Sequence, residues 1–230
     1  MEKFEIYYDN GNVESSGSFK DNRREGEWKF YDENGKLRQI GSFKDGLREG
    51  QFEFYYDNGK LHQISSFKND LREGELKDYH ENGKLRQTIS FKDGKKVGKC
   101  DFYYDNGQLQ ETCFYKDGLR EGEMKVYLEN GKLDAIGSYK DGELEGEWKE
   151  YHKNGKLWRI GSYRDGKKEG EWKWYHRNGK LDAIGSYKDG ELEGEWKRYR
   201  NDGKLELIVF KDGEIVEVEM IENKRPSLMN

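Results

Sequence analysis

No apolar run in this chain approaches the roughly 20 residues that span a bilayer as a helix. The opening MEKFEIYYDNG has neither the basic stretch nor the apolar core of a signal peptide. A membrane-spanning or exported protein is not expected, and the cytoplasm is the expected compartment. Basic runs are missing too. The 42 Lys and Arg and the 47 Asp and Glu are mixed throughout, with a net charge of −5. No positive stripe can track a phosphate backbone, so no nucleic-acid partner is expected. A membrane-lipid partner would want a positive patch or an amphipathic helix, and neither is present. Apolar residues make up only 32% of the chain against 39% charged, which excludes a thick hydrophobic core. Such polarity normally marks disorder. Six Trp and sixteen Tyr argue instead for a thin, ordered structure.

Chemistry-bearing groups are sparse. There are two cysteines, Cys100 and Cys113, and four histidines, His62, His80, His152 and His176. The histidines stand at no metal-ligand spacing to the cysteines, so no metal and no cofactor is expected. No Ser/His/Asp grouping recurs, and no Gly-rich turn leads into a helix as a phosphate loop would require. Carboxylates such as Glu27, Asp45 and Glu49 do recur. A recurring acid reads as a turn former or solvated strand residue rather than a tuned general acid. No catalytic residue is nominated, and the chain is read as non-enzymatic.

What is present is a ruler of constant period. Asn-Gly or Asp-Gly glycines fall at Gly11, Gly35, Gly59 and onward to Gly203, every step 24. A second glycine series, usually within EGE, runs from Gly26 to Gly194 at the same spacing, and a tyrosine series from Tyr7 to Tyr199. Each copy, such as YHKNGKLWRIGSYRDGKKEGEWKW, carries two turn signals separated by runs too short and too Gly-interrupted for helices. The fold expected is all-β: an elongated single-layer antiparallel meander of 24-residue hairpin units, twisted or coiled, without helices. The array should run continuously over 1–221, from a half copy through about eight full ones to a capping strand at 214–221. Val216, Val218 and Met220 should close one face of it. Residues 222–230 should be a frayed tail.

Two-residue type I′ reversals at Asn-Gly set the register. They pair Phe4 with Gly17, Trp28 with Gly41, Phe52 with Ser65, Leu76 with Ile89 and Cys100 with Cys113. They also pair Met124 with Gly137, Trp148 with Gly161, Trp172 with Gly185 and Trp196 with Val209. Large residues mostly meet small ones, as two side chains sharing a slot should; Met124 and Trp196 fit less well. Extended through the Asp-Gly turns, the row sets Gly41 opposite Gly50. Three-residue loops with a glycine bulge rank second, because they would destroy these pairs. Cys100 and Cys113 then fill one slot as small apolar thiols, a cross-strand pair at which a disulfide is geometrically conceivable. Trp28, Leu37, Gly41 and Phe43 share one face; Tyr31 and Ile40 share the other. Turn centres alternate 13 and 11 residues apart, so register advances by two residues per copy unless a bulge absorbs it.

Aromatics at variable positions are the partner-binding candidates. Phe30, Phe54, Phe102 and Trp174 stand two residues after the Trp slot. Trp158 is placed opposite Tyr151 of the tyrosine ladder, which continues to Tyr175. An incompletely covered Trp face would also suit a second copy of the chain, a homodimer. Early copies are Phe-rich and late ones Trp-rich, with IGSYKDGELEGEWK occurring at both 136 and 184.

The run GSYKDGELEGEWKEYHKNG, Gly137 to Gly155, resembles a MORN repeat, G-x-W-x-x-G-x-x-x-G followed by an aromatic strand and a second turn. Trp148, after the EGE glycine, departs from that form. It is similar to the bacterial variant of the repeat found in the YwqK-type antitoxin family. The resemblance implies a non-catalytic protein-interaction module, in its sharper form an antitoxin or immunity protein that blocks a partner toxin. The alternative it implies is a scaffold or membrane-surface protein.

Overall fold

A computed structural model describes residues 2–200 and 204–221. They form twenty-two strands of one antiparallel sheet, with no helix among the described residues. They fall into two compact bodies that divide between Leu119 and Arg120. The tail at 222–230 and the turn around Gly203 lie outside the described residues.

The two turn signals produce two different reversals. At Asp45-Gly46 both residues are left-handed, with φ of 51° and 85°, and Lys44 pairs with Leu47. This is a two-residue reversal whose backbone only Gly and the short polar residues tolerate. The Asn-Gly turns, expected to be of this kind, are three-residue loops. Gly59 N–H donates to the Tyr56 carbonyl and Tyr56 N–H to the Lys60 carbonyl, both at 2.9 Å. Only Gly59 is left-handed, at φ 78°. Asn58 is there for its side chain: its Oδ1 accepts the Lys60 N–H at 2.9 Å.

The expected pairs nevertheless survive, because a one-residue bulge offsets the extra loop residue. Phe54 pairs with Gln63 and Tyr55 with Leu61, leaving His62 over. Phe52 therefore faces Ser65, Cys100 faces Cys113 and Trp172 faces Gly185. Two expectations fail at the bulge. Tyr151 faces Leu157 rather than Trp158, as Tyr55 faces Leu61, and Leu37 lies opposite Tyr31, on the tyrosine face. The hairpin joining Glu191–Tyr199 to Leu205–Lys211 is one residue shorter and has no bulge, so Trp196 faces Ile208, not Val209.

A second bulge lies at the EGE glycines. Ser42 pairs with Glu49, but Gly41 pairs with Phe52, so Gly50 and Gln51 are passed over. Gly50 takes φ 79° to allow it. Gly41 thus does not face Gly50. The two residues passed over absorb the difference between the two turn spacings, and no register advance accumulates.

This bulge decides which glycine each ring covers. A Cβ on Gly17 would fall 2.3 Å from Trp28, on Gly41 2.2 Å from Phe52, and on Gly161 2.1 Å from Trp172. Each ring therefore lies over the glycine that precedes it across the two-residue turn, Asp21-Asn22 for Trp28 and Asp-Gly for the other two, not over its partner across the Asn-Gly turn. Sizes compensate fully in this direction. Leu76 follows Ser65, Cys100 pairs with Ile89, and the space at Gly137 is filled by Trp148. Trp28, Phe52 and Trp172 are 0% exposed, each burial contributing about 1.5–3 kcal/mol.

The recurring acids tie neighbouring turns. Glu25 Oε2 accepts the Asp45 N–H at 2.9 Å, Glu73 that of Asp93 at 2.9 Å and Glu169 that of Asp189 at 3.1 Å. Val97 occupies this position ahead of Asp117 and offers no acceptor. The closing strand Glu214–Ile221 is exposed along its whole length. Val218 pairs with Ile208, but Val216, Val218 and Met220 remain 59%, 54% and 46% exposed, so they do not seal the face as expected.

Candidate interaction surface

The sequence-nominated aromatics do not converge on one spot. Phe30, Phe54, Phe102 and Trp174 lie on the Trp face and are half-buried. Tyr151 and Tyr175, also half-buried, lie on the opposite face. Trp158 is the residue left over at its bulge and is 41% exposed. The Arg159 guanidinium lies 4.8 Å from its ring and His152 6.2 Å away.

Three of these residues act first as covers. Phe30 stacks on Trp28 at 6.1 Å and 29°, Phe54 on Phe52 at 6.4 Å and 29°, and Trp174 lies on Trp172 at 5.9 Å and 33°. The three covered rings are the fully buried ones. Glu150 and Arg198 stand at the covering position for Trp148 and Trp196, and those two rings stay half-buried. At Asp78 the same position is buried but polar. Gln63 donates to its carboxylate at 2.6 Å, Arg86 at 3.2 Å, and Gln87 also.

Cations four residues before the slot cap the face from its other edge, a pattern the sequence reading missed. Arg24 lies 4.7 Å from Trp28, Arg48 4.1 Å from Phe67, Arg72 5.3 Å from Phe91 and Lys168 4.8 Å from Trp172. Burial pushes the Lys168 ammonium below its usual pKa, and nearby Arg159 adds to this. The series is readable in the sequence as Arg24, Arg48, Arg72, Lys96, Arg120 and Lys168, broken only by Leu144 and Leu192. Those leucines belong to the two copies with uncovered tryptophans.

Cys100 and Cys113 are not joined in a disulfide and are 0% and 1% exposed. Their mutual hydrogen bond draws the Cys100 thiol below its usual pKa, against the effect of burial. The histidines also have structural work. His80 Nε2–H donates to the Tyr103 carbonyl at 2.9 Å and His152 Nε2–H to that of Tyr175 at 2.7 Å. Tyr8 and Tyr56 do the same with their hydroxyls, at 2.8 Å and 2.6 Å. No group of three or more His, Cys, Asp or Glu side chains suited to a metal ion occurs among the described residues.

Tandem 24-residue hairpins with one aromatic face define a β-repeat interaction module. The MORN repeat variant matches at residues 3–21, 24–45, 48–69, 72–93, 96–117, 120–141, 144–165, 168–189 and 192–212, and the chain belongs to this family. No curated protein matches it. Among solved structures it is 11% identical to a chain of a TcdB2–TccC3 structure, covering 94% of itself and 15% of that chain at a TM-score of 0.25. It is 12% identical to a chain of the Photorhabdus luminescens Tc holotoxin pore, covering 95% and 15% at 0.25. To a porin-like protein from Bacteroides uniformis it is 12% identical, covering 84% and 87% at 0.21. The chain spans about 15% of the length of the first two.

Proposed function

We propose that the chain is a non-catalytic module that binds a protein partner through its aromatic surface. The observation carrying this reading is the set of rings its own repeats leave uncovered: Trp158, 41% exposed, and the half-buried Trp148 and Trp196. Large, stiff aromatics on a rigid sheet are the side chains that anchor protein interfaces. The recurring carboxylates, by contrast, cap turns, as Glu25 and Glu73 do, or pair with a lysine two residues on, as Glu27 does with Lys29, which supports a binding role over a catalytic one. The resemblance to the YwqK-type family sharpens the proposal to an antitoxin or immunity protein acting by stoichiometric occlusion. Affinity capture with the tagged chain from its native host should recover a stoichiometric protein, and Trp158→Ala should weaken that recovery. Co-expression with a toxin encoded nearby tests the sharper form through restored growth. If every capture returns no stoichiometric partner, the binding reading fails.

A scaffold on an anionic membrane surface is the second reading, the alternative that the family resemblance implies. Flotation with phosphatidylserine vesicles separates the two, and protein left wholly in the soluble fraction removes this alternative.

A further inference from the structure

Beside Trp196 lies a hollow of about 380 Å³, floored by Trp174, Ala183, Tyr187, Trp196 and Phe210 and edged by Arg198. Its volume is at the lower end of the roughly 300–1,000 Å³ that holds small ligands. Two departures from the repeat open it. Leu192 stands where other copies place an aromatic-capping cation, and Arg198 where Phe30, Phe54 and Trp174 cover their slot ring. Ala183 pairs with Arg198 and adds no bulk. Trp174 already packs against Trp196 at 5.0 Å, and the side toward residue 198 is left without a ring. The Arg198 guanidinium is exposed and has no hydrogen-bond or ion-pair partner among the described residues. Glu206, which pairs with Arg198 in register, is engaged by Arg200 at 3.1 Å.

We propose that this hollow receives one aromatic side chain and an adjacent carboxylate from a segment of a protein partner. The inference rests on the protein-binding reading above. The guest ring stacks on Trp196 as Phe30 stacks on Trp28, replacing the cover that position 198 lacks. The guest carboxylate meets Arg198 in the two-pronged geometry that guanidinium favours. Asp182 and Lys197 also line the hollow with opposite charges, so Arg198 gives it one net positive charge.

The test uses the full chain with ¹⁵N-labelled tryptophan and amide-capped tetrapeptides at millimolar concentration. Ala-Phe-Glu-Ala should shift the Trp196 indole signal saturably. Ala-Ala-Glu-Ala and Ala-Phe-Lys-Ala should bind at least about tenfold more weakly, the loss expected for one anchor or one charge-assisted contact. Arg198→Phe supplies the missing cover from within, so it should abolish the response while the unfolding temperature holds or rises. Arg198→Gln, which keeps the hollow, should retain the ring preference and lose the discrimination against Lys. An unmoved Trp196 signal, or an unchanged response in Arg198→Phe, overturns the proposal. A captured partner that binds Arg198→Phe equally well removes this inference and leaves the broader reading standing; failure of all capture removes both, whatever the peptide response.

Discussion

Residues 130–149 and 178–197 are the same twenty-residue sequence, NGKLDAIGSYKDGELEGEWK, yet their tryptophans behave differently. Trp148 donates its indole N–H to Glu150 Oε1 at 2.8 Å. Trp196 donates to the Ser186 carbonyl at 3.1 Å, as Trp28 and Trp172 do to Ser18 and Ser162. The ring is turned accordingly: Cε3 of Trp148 comes nearest the space of Gly137, whereas Cδ2 of Trp196 comes nearest that of Gly185. The residue that follows the shared sequence by one position explains this. Glu150 is an acceptor two residues from the indole, and Arg198 is only a donor. Glu150 also holds Arg159 at 2.5 Å, so an ion pair stands beside Trp148, while Arg198 forms none beside Trp196 among the described residues. One residue outside an identical run accompanies a change in the indole's hydrogen-bond partner.

The comparison can be broken most severely at its foundation, the glycine beneath a ring. Gly161→Ala should destabilise by about 1–3 kcal/mol or more, because its Cβ would fall 2.1 Å from the buried Trp172. Adding Trp172→Leu, which reproduces the Ser65 and Leu76 combination, should restore part of the loss in urea denaturation. Failure of any rescue would refute the size-compensation rule. Next, Glu150→Arg removes the acceptor for both Trp148 and Arg159. Since Arg159 Nε is already buried without a partner, the cost should be about 1–3 kcal/mol. The Trp148 indole signal should move toward the position of Trp196. Arg198→Glu should turn Trp196 the other way with little stability change; unmoved indole shifts in both variants would show that residues 150 and 198 do not set the rotamer.

A smaller effect sharpens the contrast between a copy with an acceptor and one without. Val97→Glu supplies the turn-capping carboxylate its copy lacks and should stabilise by about 1 kcal/mol, read as a raised denaturation midpoint. The smallest stability effect is expected at Trp158→Ala, within about 0.5 kcal/mol, since that ring is the residue left over at a bulge. A large loss there would show Trp158 to be a cover like Phe30 rather than an exposed anchor.

Much of this was legible beforehand. The pairing of Cys100 with Cys113 and of Trp172 with Gly185 followed from turn spacing alone. It did so even though the Asn-Gly reversal is a three-residue loop, because loop and bulge cancel and leave the same register. That cancellation is invisible in a sequence: His62 and Trp158 read equally well as strand residues facing the tyrosine ladder. The direction of each ring was harder still. Trp172 has an empty slot on both sides, Gly161 and Gly185, and only its packing chooses. The poorly matched Met124–Gly137 pair was the available signal, and it disappears once Gly137 is assigned to Trp148.

What the sequence determined by itself is the repeating antiparallel hairpin with one Trp-bearing and one Tyr-bearing face. Its causes are local: Gly, Asp and Asn at reversals, and alternation along short strands. What only the tertiary structure decided is which ring lies over which glycine, which acid caps which turn, and which tryptophans remain uncovered. Those outcomes depend on side-chain rotamers chosen against neighbours on adjoining strands and in the next copy of the repeat, and a linear pattern does not encode that choice one residue at a time.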